Sequence, residues 1–388
     1  MSAALPGFMI ASKPAAHFGA GAIKELPAIV RGTGASAAMI VTDAALAATP
    51  VIATVTYALA EAGVPVHVFG GVHPNPTTDD IAAGAAAIAE AEASVGRVAL
   101  VAVGGGSPID AAKGTAIAAV NPQRGRDLDY RGNFAVPALP IITVPTTAGT
   151  GAETNAFGVV TDPVAHRKFY VGHATSMPAA AILDPELTVG LPPSVTAATG
   201  MDALTHALES YLSINANPWS DGIALQVIRM VAGNLPRACA DGTDLEARSQ
   251  MLLAAHLAGI AMANTGLGIA HAIGHSLGGR WNIAHGVTLT MILPDVLRFN
   301  LPVRTQRMAD IAFALGVGDT HADTASNAAA AINAVTELRE RIGMTKQLGD
   351  FGITEADYAQ IAADALEDEV LANTPRQPTA EDIVRLLG

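Results

Sequence analysis

The stretch Val98-Ala99-Leu100-Val101-Ala102-Val103-Gly104-Gly105-Gly106-Ser107-Pro108-Ile109-Asp110 decides the fold class. Six apolar residues without polar alternation predict a strand buried on both faces, as in a parallel sheet covered by helices. Gly104, Gly105 and Gly106 let the backbone adopt unusual φ angles and approach a bulky group closely. Ser107 fits an N-cap, Pro108 a first helical position and Asp110 the acid of a capping box. A helix starting there presents free N–H groups, a natural seat for a pyrophosphate. The competing reading is a Gly-rich strand–helix turn with no ligand, because this is not the G-x-G-x-x-G fingerprint and no acid about 20 residues downstream clearly ends a second strand.

Outward from this turn the same texture repeats. Ala38–Thr42, Pro65–Phe69, Ile141–Val144 and Ala180–Leu183 read as further strands, with helical stretches near Ala44–Glu61, Thr78–Ala93 and Pro108–Ala119. Phe157–Asp162 and Lys168–Val171 read as an inserted hairpin. Asp43, at a strand tip, is placed either to hydrogen-bond ribose hydroxyls or to cap the helix that follows. Pro145–Glu153 contributes Thr146, Thr147 and Thr150 in a small-residue loop after a strand, at the sheet edge where ligands of open α/β sheets bind; the competing reading is a plain polar loop.

Beyond about Pro185 helix follows helix. Ser194 is the expected cap of a helix through Leu212, with breaks at Asn215–Pro218, Asn234–Pro236, Asp241–Thr243 and Gly316–Asp319. The expected organisation is an α/β domain over residues 1–187 with a parallel-sheet dinucleotide-binding core, then an all-α domain over 188–388, with a ligand cleft between them.

The second domain carries the most specific pattern. Asp202 and His206 stand four residues apart, hence on one helix face; His271 and His275 repeat the spacing, and His285 follows ten residues later. A carboxylate with two or three imidazoles suits a borderline divalent cation such as Fe²⁺ or Zn²⁺. Five candidates exceed the usual four ligands, and spacing does not choose among them. His256 reads as a core histidine, and His67, His73, His166, His173 and His321 as surface residues near turns or strand ends.

Composition bounds the rest. With 388 residues, of which 50% are hydrophobic, a large core is available. Lys and Arg number 22 against 35 Asp and Glu, a net charge of −13, without any basic cluster, so neither nucleic acid nor an anionic membrane surface is an expected partner. Mean hydropathy is +0.36, yet no apolar run reaches the roughly 18–20 residues of a span. The N-terminus does not read as a signal peptide. Cys239 is the single cysteine, so no intrachain disulfide forms, and a reducing, cytoplasmic setting is expected.

Taken together, Gly104–Lys113, Pro145–Glu153, Met201–Glu209 and Gly268–Gly286, with Asn75-Pro76-Thr77 and Leu183-Asp184-Pro185, resemble the iron-containing (group III) alcohol dehydrogenase family. The resemblance runs from Phe18-Gly19-Ala20-Gly21 to Thr374-Pro375-Arg376, almost the whole chain. It implies a dehydroquinate synthase-like architecture and NAD as cofactor. It further implies a divalent cation, Fe²⁺ or alternatively Zn²⁺, held by Asp202, His206, His271 and His285, with His275 placed behind the ligands or on the nicotinamide side; its imidazole, titrating near neutrality, would suit it to relay a proton to solvent. By the same resemblance the glycine turn with Ser107 and Asp110 seats the pyrophosphate, and Thr146, Thr147 and Thr150 contact the dinucleotide. Asp43 then favours NAD over NADP, and Lys168 lies in the family's hairpin.

The implied reaction is hydride transfer between NAD(H) and a small alcohol or aldehyde, including a diol or hydroxy acid, with the metal lowering the pKa of the alcohol oxygen. Asp202, His271 and His275 are the catalytic candidates, and a homo-oligomer, dimer or higher, is expected. The alternatives are a non-redox lyase of the dehydroquinate synthase-like group and a non-catalytic nucleotide- or metal-binding scaffold. Val370 stands where many members of the family carry a cysteine near the substrate, which leaves the substrate pocket open.

Overall fold

The computed structural model describes residues 14–124, 127–164 and 167–388; His166 lies outside them. They form two compact units, one ending at Gly190 and one running from Leu191 to Gly388.

The first unit is built from β1 (Ala15–Phe18), α1 (Leu26–Gly32), β2 (Ala37–Asp43), α2 (Ala44–Ala47), α3 (Pro50–Glu61), β3 (Val66–Val72), α4 (Thr78–Val95), β4 (Val98–Gly104), α5 (Gly106–Ala118), β5 (Ile141–Pro145), the hairpin β6 (Phe157–Asp162) and β7 (Arg167–Gly172), and β8 (Ala180–Leu183). Six strands form one parallel sheet in the order β1-β8-β5-β4-β2-β3, with β6 and β7 as a separate antiparallel ribbon. Every residue of β4, β5 and β8 is buried. The absence of polar alternation has a direct cause, since successive side chains of a strand point to opposite faces and both faces are covered. Ile40, Val101 and Val103 meet Ile52, Val55 and Leu59 of α3 on one face. Met39, Leu100 and Ala102 meet Ile88 of α4 and Ile109 and Ala112 of α5 on the other.

The strand order creates the position where a ligand belongs. From β2 the chain adds β3 on one side, then returns to add β4 on the other. The carboxyl ends of β2 and β4 therefore flank the point where the order reverses, and such a switch point opens a crevice at the sheet's edge. Asp43 ends β2, Gly104 ends β4, and Gly104 is in register with Pro145 at the end of β5.

The second unit is helical: α6 (Pro193–Leu212), α7 (Pro218–Ala240), α8 (Leu245–Thr265), α9 (Ile269–Trp281), α10 (His285–Ala314), α11 (Thr324–Arg341), α12 (Glu355–Leu366) and α13 (Ala380–Leu387). Ile273, Leu277, Leu289, Ile292, Ile361 and Ile383 form a core shared by α9, α10, α12 and α13. From Met201 to Leu212 every residue of α6 is buried. Among the described residues no single helix is long and apolar enough to cross a membrane; α8 and α9 pass such a test only as a pair, and they are bent by 108°.

Several elements differ from the sequence expectation. The stretch Ala44–Glu61 is two helices, because Pro50 starts a new one. Helix α5 begins one residue before Ser107, with Gly105 as N-cap and no side-chain cap, so Ser107 and Asp110 do not form a capping box. Pro192 occupies the N-cap of α6, and Ser194 lies inside the helix. Pro236 does not break α7, whose buried Val231, Leu235 and Ala238 keep it packed across the proline. Strand β1, short and largely exposed, carries no apolar signal.

Candidate active site

The helical unit gathers the candidate metal ligands around one carboxylate oxygen. Asp202 and His206 project from α6, one turn apart, so their side chains stack on the same face. His271 projects from α9, and His285 is the first residue of α10. The Nε2 atoms of His206, His271 and His285 lie 3.4, 3.7 and 3.7 Å from Asp202 Oδ1. Asp202, His271 and His285 offer ligating atoms that all lie within 4.8 Å of one another. His206 completes the set from the side, its ring stacked on that of His271 at 4.7 Å between centroids.

Two of these atoms explain what the cluster fits. Asp202 Oδ1 and His271 Nε2 are buried without a hydrogen-bond partner. Buried polar atoms are ordinarily satisfied, and an unpartnered carboxylate oxygen facing an unpartnered imidazole nitrogen, with two further imidazoles at hand, is a donor set suited to a divalent cation. Electrostatics agree. Burial would raise the Asp202 carboxyl, but the imidazoles of His206, His271 and His285 outweigh it and hold the group far below the usual carboxylate range. Burial would lower His271, yet Glu209 and Asp202 together raise it. The half-buried His285 is held well below its ordinary value by desolvation and by His271 and His275, against the pull of Asp202.

Two carboxylates beside this cluster escaped the sequence reading. Glu209 accepts from the backbone N–H of Gly268 at 2.9 Å and of Ala270 at 2.7 Å, and lies 2.6 Å from His271 Nδ1. It therefore caps the start of α9 and fixes the His271 tautomer, with Nδ1–H donating and Nε2 left to face Asp202. A signal existed: Asp202, His206 and Glu209 follow an i, i+4, i+7 spacing on one helix face. Asp368 lies 2.7 Å from His275 Nδ1. His275 is thus turned from the Asp202 cluster at one nitrogen, while its ring stacks on His285 at 5.4 Å. No local pattern could have found Asp368, 93 residues away in sequence.

The α/β unit brings the other candidates to the sheet's carboxyl edge. Gly104 has φ +148°, and a Cβ there would meet Pro108 Cγ at 2.6 Å, so the turn into α5 needs glycine. Thr146 N–H donates to Gly104 O at 2.9 Å, joining the Thr-rich loop to the glycine turn. Thr147 packs over Gly105 and Thr150 over Gly106, each within 3.5 Å of where a Cβ would stand. Asp43 Oδ1 accepts from Leu46 N–H at 2.8 Å, so the carboxylate does cap α2. The exposed Lys168 donates through Nζ to Asn75 Oδ1 at 3.0 Å. Asp110 is turned inward, accepting from Val159 N–H at 3.0 Å with Lys113 Nζ 3.8 Å away. Burial raises its carboxyl and lowers the Lys113 amine to about 8, each group pulling the other back.

Comparison with known proteins accounts for both halves. Residues 14–185 match the model of the iron-containing alcohol dehydrogenases, and residues 196–388 that of the C-terminal region of the same family. The NAD-dependent methanol dehydrogenase of Bacillus methanolicus is 38% identical over 376 residues, covering 96% of this chain and 97% of the relative. The chain belongs to the iron-containing alcohol dehydrogenase family. A 1,3-propanediol dehydrogenase of Klebsiella pneumoniae is 40% identical over 374 residues, 95% of each chain. A crystal structure of a 1,3-propanediol oxidoreductase superposes with a TM-score of 0.91 at 36% identity, over 98% of this chain and 99% of that one. As a family member the chain is an oxidoreductase, a metal-dependent alcohol dehydrogenase or aldehyde reductase that works with NAD, on the dehydroquinate synthase-like fold.

Proposed function

We propose that the protein interconverts small primary alcohols or diols and their aldehydes with NAD(H). In this reading Asp202, His206, His271 and His285 hold Fe²⁺, for which Zn²⁺ is the alternative occupant. The observation that carries it is the convergence of three imidazole Nε2 atoms on Asp202 Oδ1. A divalent cation there supplies Lewis acidity toward an alcohol or carbonyl oxygen, and the nicotinamide supplies the hydride acceptor or donor.

The remaining work falls to the chain's own side chains. Asp202 neutralises part of the cation's charge, and Glu209 keeps Nε2 of His271 free to ligate. His275, oriented through Nδ1 by Asp368, has its Nε2 available to move a proton between substrate and solvent. Free N–H groups at the start of α5 hold the pyrophosphate, with Ser107 beside them and Thr146, Thr147 and Thr150 closing over the turn. Asp43 uses Oδ1 for its cap, and its carboxylate charge disfavours a 2′-phosphate. Cytoplasmic residence and a homo-oligomer complete the proposal. Nothing favours a non-redox lyase or an inert scaffold.

The test pairs metal analysis with turnover. Asp202→Ala and His271→Ala should lose bound metal and NADH formation together, measured by elemental analysis and by absorbance across small alcohols, diols and aldehydes. Normal metal content in both variants sinks the ligand assignment, and no redox turnover in metal-reconstituted wild type sinks the activity.

A further inference from the structure

Lys113 is the largest fully buried side chain among the described residues, and nothing in the proposed reaction uses it. Its ammonium lies between three segments of different origin. It donates to Ala152 O at 2.7 Å and to Asn155 Oδ1 at 3.1 Å, both at the end of the Thr-rich loop. It donates as well to Phe157 O, the first carbonyl of β6. Its own helix supplies Asp110, whose second oxygen takes the Val159 N–H of the same strand. Asn155 Oδ1 in turn accepts from Phe157 N–H at 2.9 Å. The approach is close: a Cβ on Gly158 would fall 2.8 Å from Asp110 Cα.

Burying an ammonium costs several kcal/mol unless hydrogen bonds and opposite charge compensate it, and in some proteins such groups fix a geometry that apolar packing would leave loose. Here the fixed geometry is that of α5, the 146–154 loop and the hairpin. The first two are the elements that carry the glycine turn and the threonines. We propose that Lys113 and Asp110 are a positioning pair that clamps the glycine-turn helix, the Thr-rich loop and the hairpin into one preformed dinucleotide cradle, without touching the dinucleotide. Asp110 thereby leaves the group of cofactor contacts. The inference rests on the reading of the glycine turn as the pyrophosphate seat.

The experiment uses metal-loaded, full-length protein and NADH as probe. Lys113→Met fills similar volume without charge, and Asn155→Ala removes one acceptor while leaving the lysine in place. Both should raise the NADH dissociation constant by fluorescence titration, Lys113→Met by tenfold or more and Asn155→Ala by less. The change should fall on KM for NAD more than on kcat, with metal content as in wild type and faster backbone exchange confined to residues 145–160. Should Lys113→Met fail to fold, Asn155→Ala carries the same test. Ser107→Glu probes the underlying reading separately, because a carboxylate at the start of α5 repels a pyrophosphate yet suits the helix dipole. If Ser107→Glu weakens NADH binding while both clamp variants bind within twofold of wild type, the clamp is wrong and the seat stands. If Ser107→Glu binds NADH normally, the seat itself is wrong and the clamp falls with it.

Discussion

Glu209 satisfies three donors with two buried oxygens, and each bond serves the neighbour that faces Asp202. A glutamine has nearly the same shape but presents an N–H where the carboxylate offers a lone pair. Its one acceptor oxygen can serve Gly268 and His271, which share Oε2, or Ala270, which uses Oε1, but not all three, and the amide N–H then faces a donor. Glu209→Gln should therefore raise the metal dissociation constant by about 10–100-fold, the usual cost of losing a carboxylate behind a ligating histidine. Competition with a chelator of known affinity measures it, and wild-type affinity would show that Glu209 is a helix cap and nothing more. The residue scale also shows why ligands were only half legible. The i, i+4 pairs of α6 and α9 were visible in the sequence; what distinguishes His275 from His285 as a candidate ligand was not, since it is the remote Asp368 that takes up one nitrogen of His275.

At the scale of elements, the segment Glu369–Asn373, a 3-10 turn, is held by Asn373 rather than by apolar packing alone. Its carbonyl accepts from Ile214 N–H at 3.1 Å and Ser213 Oγ at 3.3 Å; its side chain accepts from Asn215 Nδ2 at 2.8 Å and donates to Val370 O at 3.1 Å. Asp368 caps this turn and reaches His275, so the turn's position sets the His275 ring. Asn373→Ala should cost about 1 kcal/mol of stability for each side-chain bond lost. It should also lower kcat by up to about 10²-fold, the penalty of a small misplacement near reacting groups. Metal content should stay normal; unchanged kcat in the folded variant would separate the turn from catalysis.

Elements were legible where burial wrote a continuous pattern, as in Val98–Val103, and illegible where it did not, as in the exposed β1. Helix starts were misplaced for one physical reason. Ser107 and Ser194 have cap chemistry, but the chain turns at Gly104 and at Pro192-Pro193 instead, and backbone geometry overrides side-chain preference. The inward turn of Asp110 was hidden for another reason, since its partner Val159 lies 49 residues away in the hairpin.

At the scale of the molecule, the two proposed ligands engage different units, and each binds folded structure alone. The candidate metal donors stand on α6, α9 and α10; the proposed cradle residues stand at the carboxyl edge of the sheet. A ligand that binds only the folded state stabilises it by RT ln(1 + [L]/Kd), about 2.7 kcal/mol at a hundred times its dissociation constant. Chelation should therefore speed backbone exchange in residues 196–212 and 268–290, where Asp202, His206, His271 and His285 otherwise pin three helix segments together. It should leave residues 98–118 and 141–160 at wild-type rates. NAD added to the chelated protein should slow exchange in the latter segments, without restoring the former. Hydrogen–deuterium exchange of four samples, with and without metal and with and without NAD, reads all of these outcomes. If chelation loosens the glycine-turn helix as much as α6, the donors assigned here do not account for where the metal acts. Protection by NAD confined to the helical unit would likewise remove the glycine turn from cofactor binding.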